Sequence, residues 1–341
     1  MRFVISHKYE EIISLANLLL AWEEFAREKK NRIDVRIFSK TLLRNITSLH
    51  RDLTSNTYHH SSYEAFNITD PKPRHIHKAT VRDRLLHRAL HRILYPAFDE
   101  TFIHDSYSCR SGKGTHKAFE RLVYFARKIS RNYAEPCWAL KMDIRKFFDS
   151  IDHKILFNLL KRRIDDPDLL YVIYDILKSF EHSYGKGLPL GNLTSQLFAN
   201  IYMDPLDKFV KHKLKVKYYL RYADDFTILS QNPDELMGYF IEINTFLKTE
   251  LKLQIHPAKI TLRKLNQGID FVGYIALPHY QIPRRKTVRR IFKNVRKLSH
   301  EELEKSLPSY CGYLSHVSSR GLVGQLEAEV VKKIYRVNPT G

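Results

Sequence analysis

Tyr222-Ala223-Asp224-Asp225 places two adjacent carboxylates between two apolar arms, Tyr218–Tyr222 and Phe226–Ser230. Aromatic and β-branched residues favour strands and Asp favours turns, so the stretch reads as a β-hairpin with the carboxylates at its tip. Like charges side by side at the end of buried strands are costly unless a cation sits on them. For oxygen-only ligands that cation is a hard divalent ion such as Mg²⁺. A bare Asp-Asp pair also reads as a solvated turn, and the rest of the chain decides between the two. A third carboxylate, Asp143, lies upstream in Trp138-Ala-Leu-Lys-Met-Asp143. Leu140, Met142 and Ile144 alternate with Ala139, Lys141 and Asp143, which is a strand period with Asp143 on the face opposite the apolar set. Beside the hairpin, Asp143 and Asp224 would form the two-metal clamp used for in-line phosphoryl transfer.

The elements that must position these residues sit in a chain of 341 residues with 43% hydrophobic content, enough for a sizeable globular core. Lys and Arg number 57 against 37 Asp and Glu, a net charge of +20. Such an excess points to a polyanionic partner, nucleic acid first. The rival, a basic membrane-surface protein, lacks an amphipathic anchor or lipidation signal. Ile12–Trp22 is too short to span a bilayer. It also follows Glu10 and Glu11, unlike a signal peptide. Cys109, Cys137 and Cys311 are widely spaced and imply no disulfide framework or zinc site. No membrane association and a cytoplasmic location are expected.

Helical spacing runs from Ile12 to Glu28, with Leu15, Leu18, Leu19, Trp22 and Phe25 on one side. Lys40–Leu53 reads as a second helix, followed by a polar, aromatic loop closing at Asp70-Pro71-Lys72-Pro73. A helix from Val81 to Tyr95 carries Leu85, Leu86, Ala89, Leu90 and Ile93 inward and Arg82, Arg84, Arg88 and Arg92 outward. His87 and His91 lie one turn apart on it. With no third ligand in the sequence nearby, they read as solvated or phosphate-facing. Gly185–Gly191 is a loop, after which Thr194 or Ser195 is expected to cap a helix to about Lys213. Pro233–Leu251 is an amphipathic helix. Residues 276–341 hold 13 Lys and Arg against 5 Asp and Glu. There Val288, Ile291, Phe292, Val295 and Leu298 form one helical stripe, and basic residues fill the other faces for phosphate.

Asp143 with Phe147-Phe148, Gly187-Leu-Pro-Leu-Gly191, Tyr222–Asp225 and Phe271-Val-Gly-Tyr274, in that order, resembles the reverse transcriptases, from about Lys72 to about Ser319. The resemblance implies an α+β right-hand polymerase fold. Fingers would occupy 1–135, the palm 136–275 with an inserted fingers segment at about 154–190, and a short basic helical thumb 276–341. It implies two Mg²⁺ ions, replaceable by Mn²⁺, on Asp143 and Asp224 with Asp225 assisting. Arg74, Lys78 and Arg84 fall in the first conserved block, which holds template. Arg110 and Lys113 fall in the second, which holds the nucleotide triphosphate; an ordinary basic surface loop is the alternative there. Gly112 and Gly114 would admit phosphate to the backbone. Phe148 would be the steric gate against a 2′-hydroxyl, with Phe147 in the core. Leu190, Gly191 and Gln196 would lie at the incoming nucleotide, and Lys259 near the leaving pyrophosphate. Phe271 and Gly273 would form the primer grip, and Arg289, Arg290 and Lys293 would hold the duplex.

Most reverse transcriptases have Gln before the equivalent of Gly191 and Ser-Pro where this chain has Ser195-Gln196. The aliphatic-Gly-x-x-x-Ser-Gln pattern is similar to that of diversity-generating retroelement reverse transcriptases, a bacterial and phage lineage related to group II intron enzymes. That likeness implies error-prone copying of a template RNA at adenines, so that the cDNA rewrites a variable gene. Implied partners are template RNA, cDNA or primer, deoxynucleoside triphosphates and a small basic helical accessory protein. Antiphage-defence and group II intron-type reverse transcriptases are the alternatives. A catalytically inactive RNA-binding module is the reading from a different class, against which the intact carboxylates stand.

Overall fold

The structure, a computed structural model, describes residues 4–27, 29–69 and 72–337. In chain order these form β1 (Ile5–Ser6), α1 (Tyr9–Ile13), α2 (Leu15–Ala26), α3 (Ile33–Lys40), α4 (Leu42–Thr54), β2 (Glu64–Ile68), β3 (Arg74–Lys78) and α5 (Val81–Asp99). Next come α6 (Thr115–Ile129), β4 (Trp138–Asp143), α7 (Phe147–Ser150), α8 (His153–Lys161), β5 (Ile164–Asp165), α9 (Pro167–Lys178) and α10 (Leu193–Lys208). The remainder is β6 (Tyr219–Tyr222), β7 (Asp225–Ser230), α11 (Pro233–Glu250), β8 (Thr261–Lys264), β9 (Ile269–Phe271), β10 (Tyr274–Ala276), β11 (Gln281–Pro283), α12 (Arg285–Lys297), α13 (His300–Ser315) and α14 (Arg320–Val337). The chain divides into two compact units of three segments each.

The first unit comprises 1–104, 144–215 and 241–256. Its centre is α5, against which α2 and α10 pack. Leu85, Leu86, Ala89, Leu90 and Leu94 of α5 are fully buried, as are Leu18 and Ala21 of α2. Each such leucine stabilises by about 1.5–3 kcal/mol relative to exposure. The expected N-terminal helix is broken at Ser14, whose side chain accepts from Asn17 N and starts α2 anew. Leu18, Ala21, Trp22 and Phe25 make the buried stripe, while Leu15 and Leu19 are 43% and 37% exposed. Leu19 is one residue, about 100°, around the helix from Leu18, which takes it off the stripe. The expected Lys40–Leu53 helix is α4, which begins at Leu42; Lys40 is the last residue of α3, and Thr41 separates the two.

The expected loop closing at Pro73 contains a strand, β2, which forms an antiparallel hairpin with β3 just beyond it, pairing Glu64 with Lys78 and Ile68 with Arg74. Asp70 and Pro71, part of the expected loop closure, lie outside the described residues, as does Glu28. Helix α5 runs past Tyr95 and through Pro96. His87 is not solvated: it is 1% exposed, with neither ring nitrogen hydrogen-bonded among the described residues. His91 is partly covered and stacks on Tyr95. Helix α10 is capped neither by Thr194 nor by Ser195, both buried inside it. Asn192 precedes the helix, and its amide instead donates to His77 O at 2.9 Å. A π turn, Phe209–Lys213, continues α10 to the expected end.

The second unit comprises 105–143, 216–240 and 257–341, of which 257–337 is described in the last segment. Its main sheet is antiparallel, in the order β6-β7-β4-β8. Phe119, Leu122 and Phe125 of α6 pack with Ala139, Leu220, Leu229 and Phe271 in one core. A second antiparallel sheet, β9-β10-β11, follows. A smaller core of Ile291, Val295, Leu303, Leu314 and Leu326 joins α12, α13 and α14. The expected stripe Val288, Ile291, Phe292, Val295 and Leu298 faces it.

Candidate active site

The hairpin forms as expected, but Asp225 is the first residue of β7, and only Ala223 and Asp224 make the turn. Asp143 ends β4, and the ladder sets it directly opposite Asp225. Paired residues in an antiparallel ladder share a face, so two carboxylates meet there. Ala223 has a φ of 55°, a left-handed conformation that costs a non-glycine residue about 1–2 kcal/mol. Arg221 anchors this turn. Its fully buried guanidinium donates Nη1 to Ala223 O at 3.0 Å and Nη2 to Ser106 Oγ at 3.1 Å.

Two lysines answer the carboxylates. The β4–β8 ladder pairs Lys141 with Thr261. Continued two residues further, the same register brings Lys259 level with Asp143, and Lys259 Nζ donates to Asp143 Oδ1 at 2.6 Å. Lys141, two residues before Asp143 and on its face, pairs with Asp225 Oδ2 at 2.8 Å. It also donates to Asp270 O at 3.0 Å. The sequence places Lys259 near this site but gives no direct sign of Lys141 or Arg221 as its partners. Lys141 carries one indirect signal, the period-2 spacing from Asp143.

Asp225 shows what the arrangement lacks in positive charge. Burial pushes its carboxyl up to about 6; Lys141 pulls it down, and Asp143 and Asp224 push it further up. Its Oδ1 is buried and accepts no hydrogen bond among the described residues. Among those residues no group of three or more His, Cys, Asp or Glu side chains is placed to hold a metal ion by itself. Mg²⁺ seldom uses such a group: it takes one or two carboxylates and completes its shell with water and substrate phosphates. An all-oxygen donor set with excess negative charge and an unsatisfied buried oxygen fits such an ion.

The other expected site residues fall in both units. In the second unit, Arg110 and Lys113 lie on the loop before α6. Arg110 Nη1 donates to Ser106 O at 3.1 Å, and Lys113 Nζ lies 5.2 Å from the Tyr107 ring centroid. Gly112 and Gly114 have φ of 68° and 116°. Phe271 is fully buried beneath Lys141, which corrects its expected contact with nucleic acid. The less buried part of that segment is the two-residue turn between β9 and β10, where Val272 and Gly273 are half-buried with φ of 43° and 101°. Positive φ at both positions is the hairpin turn that matches strand twist. Tyr313 Oη donates to Gly273 O at 2.5 Å, tying α13 to the turn. Arg289 and Lys293 are exposed on α12, and Arg290 is half-buried.

In the first unit, Phe147 is core, as expected, and Phe148 is half-buried, its ring 5.4 Å from that of Phe147. Phe148 O accepts from Leu188 N at 2.8 Å, so the glycine-proline loop docks on α7. Leu190 O accepts from His77 N at 3.0 Å, holding the same loop to β3. A Cβ on Gly191 would lie 2.9 Å from Ile76 Cγ2, and its φ is 107°. Gln196 is exposed on α10 and Arg74 is exposed on β3. Lys78 and Arg84 are occupied within the protein. Both pair with Asp34, at 2.9 Å and 2.5 Å.

A strand-borne aspartate thus stands opposite a hairpin that carries two more, which gathers three carboxylates at one end of the main sheet. The chain matches the family described as "Reverse transcriptase (RNA-dependent DNA polymerase)" over residues 69–276, more than half its length, and belongs to that family. It is 24% identical over 297 residues to the group II intron-encoded protein LtrA of Lactococcus lactis subsp. cremoris, covering 67% of this chain and 48% of LtrA. It is 22% identical over 232 residues to protein YkfC of Escherichia coli K12, covering 57% of this chain and 60% of YkfC. It is 30% identical over 97 residues to nuclear intron maturase 1, mitochondrial, of Arabidopsis thaliana, covering 28% of this chain and 13% of that protein. The chain thus spans less than two thirds of each of these relatives. No helix among the described residues is long and apolar enough to cross a membrane.

Proposed function

We propose that this chain is an active RNA-directed DNA polymerase that extends a primer 3′-hydroxyl with deoxynucleotides on an RNA template. The observation that carries this is the register of Asp143 opposite Asp225, with Asp224 in the adjoining turn. Asp143 and Asp224, assisted by Asp225, would hold two Mg²⁺ ions. Bound there, such ions activate the attacking hydroxyl and neutralise the departing pyrophosphate. Lys141 and Lys259 hold the carboxylates in place and offset their mutual repulsion. Arg110 and Lys113 would meet the triphosphate, Phe148 the sugar, the Gly273 turn the primer, and Arg74, Arg289, Arg290 and Lys293 the nucleic-acid backbone. Segments 1–135, 136–275 and 276–341 would serve as fingers, palm and thumb.

The test is primer extension on an RNA template with Mg²⁺ and with a chelator. Asp143→Asn and Asp224→Asn should each fall below about one hundredth of the parent rate while melting and RNA binding hold. Near-parental extension by either variant rejects the assignment.

Within this activity, Leu190 and Gln196 support error-prone copying in a diversity-generating retroelement, which would work with a small basic helical accessory protein. Leu190 offers no side-chain donor or acceptor to a nucleotide, unlike the Gln common in the family. A nucleotide held by fewer fixed contacts reacts more slowly when correct, which narrows its margin over incorrect ones. Similarity to LtrA favours a second reading, a group II intron-type enzyme. The error spectrum discriminates. Leu190→Gln should raise efficiency and lower misincorporation opposite template adenine, read by sequencing cDNA from one adenine-containing RNA. Low and matching error rates in both proteins would favour the group II reading.

A further inference from the structure

The first unit contains a cavity of about 530 Å³ bounded by α2, β2, β3, α5 and the start of α10. That volume lies within the range of small-molecule sites. Phe25, Phe66 and Ile76 supply apolar walls. The lining carries five cations and two carboxylates, a net of three positive charges. Lys78 and Arg84 are neutralised by Asp34, and Lys78 also pairs with Glu64 at 3.2 Å. That leaves Lys29, whose Nζ donates to Phe25 O at 3.2 Å, Arg32, exposed, and Arg88, whose Nη1 lies 3.8 Å from Glu24 Oε2 and whose buried Nε makes no hydrogen bond among the described residues.

His87 also lines this cavity while only 1% exposed, and neither of its ring nitrogens has a hydrogen-bond partner among the described residues. Buried polar groups are almost always partnered, so an orphaned imidazole in a cavity wall needs an account. One face of the ring is covered by His60, with centroids 5.2 Å apart. A metal does not supply the account, since no further His, Cys, Asp or Glu joins it in a metal-holding group among the described residues. Burial, with His60 and Arg84, pushes its pKa down to about 3, against a smaller upward pull from Asp83. The ring is therefore a neutral donor and acceptor near pH 7.

We infer that this cavity binds a single nucleotide, its base on the exposed Phe66 wall and hydrogen-bonded to His87, its phosphate on Arg32 and Arg88. Apolar aromatic walls accept the faces of a base, and stacking of this kind tolerates any base. A neutral donor–acceptor floor suits a base edge, and guanidinium groups suit phosphate. The same chemistry is offered by a free nucleotide and by one unpaired residue of an RNA strand. The inference does not depend on the carboxylate site.

The test uses the full chain carrying Asp224→Asn, in chelator, so that the polymerase site cannot contribute. AMP, ribose 5-phosphate and inorganic phosphate are titrated, together with a short single-stranded RNA and the same RNA with one abasic residue. AMP should bind at least about tenfold more tightly than ribose 5-phosphate. His87→Phe keeps the ring volume but not the hydrogen bonds. It should weaken AMP about tenfold and leave phosphate affinity unchanged. Arg32→Glu should weaken both. A penalty for the abasic RNA that disappears in His87→Phe, with weak AMP binding, assigns the site to a strand residue; tight AMP binding assigns it to a free nucleotide. If melting shows His87→Phe unfolded, Phe66→Ala, at an exposed wall position, replaces it with the same expectation for AMP. Unchanged AMP and RNA affinity in the folded variants, or equal binding of phosphate and AMP, overturns the inference.

Discussion

At the scale of single residues, Arg221 does more for the candidate site than its place inside a strand foretells. A fully buried guanidinium is tolerated only when its donors are used, and here they hold Ala223 O and Ser106 Oγ. Ala223 is the strained residue next to Asp224, so Arg221 sets where that carboxylate points. Lys in its place keeps the charge but loses the planar fork that reaches two acceptors at once. Arg221→Lys should therefore slow single-turnover extension at least about tenfold, since displacements near 1 Å cost about 100-fold. It should also cost about 1–3 kcal/mol of stability, because a buried acceptor is left without its donor. A folded variant with the parental rate would show that the turn holds itself. Sequence alone makes the three carboxylates legible because each sits in a short patterned run. Their partners are less legible. Lys259 is 116 residues from Asp143, and only the β4–β8 register makes them neighbours.

At the scale of elements, legibility follows burial. β4 is readable because Leu140 and Met142 are buried while Lys141 and Asp143 are not, and the β6–β7 arms, buried on both faces, are readable as near-continuous apolar runs. The β2–β3 hairpin is not, because β2 is exposed at four of its five positions and no alternation marks it. Helix α5 reads as ending at Tyr95 because Pro96 removes a donor, yet the packed helix carries on. Its two histidines read as surface groups because both fall on its arginine-bearing side. Burial instead pushes His87 down to about 3; burial, with Arg88, pushes His91 down to about 4. A histidine in the unfolded chain titrates near 6.5, so between there and the folded values the unfolded state binds more protons. The stability is complete above about pH 6.5 and is lost as pH falls toward 4 and 3. At pH 5 each histidine should cost on the order of 2 kcal/mol. Buried Asp83, beside His87, is held below the usual carboxylate range, so its own loss falls at lower pH. Urea midpoints at pH 7.5 and 5.0 should differ accordingly. The drop should shrink in His87→Phe/His91→Phe, and an undiminished drop would place the titrating groups elsewhere.

At the scale of the whole molecule, the net charge of +20 is unevenly useful. Many cations are consumed internally, as Lys78, Arg84, Lys141 and Lys259 are. Composition could not show this, because pairing depends on the folded register. In α12 the apolar stripe fixes which face meets α13 and α14, and that decides which cations are left for phosphate. Arg296 is paired with Glu329 at 2.6 Å, and Arg290 is half-buried. Arg289 and Lys293, one turn apart and exposed, line an open groove between α12 and α14. A cation that neutralises a phosphate releases about one counterion, so each contact adds about 0.9 to the slope of log affinity against log salt. Arg289→Glu with Lys293→Glu should therefore flatten that slope by about two for an RNA–DNA primer–template. The loss of affinity should be large at low salt and small at high salt. The neutral exchange Arg296→Gln with Glu329→Gln should leave the slope almost unchanged, because that arginine already has its anion. Parallel salt titrations for the double reversal and the parent would remove α12 from the binding surface. A change with Arg296→Gln/Glu329→Gln equal to the double reversal would mean that the groove responds to charge anywhere along it rather than to two direct contacts.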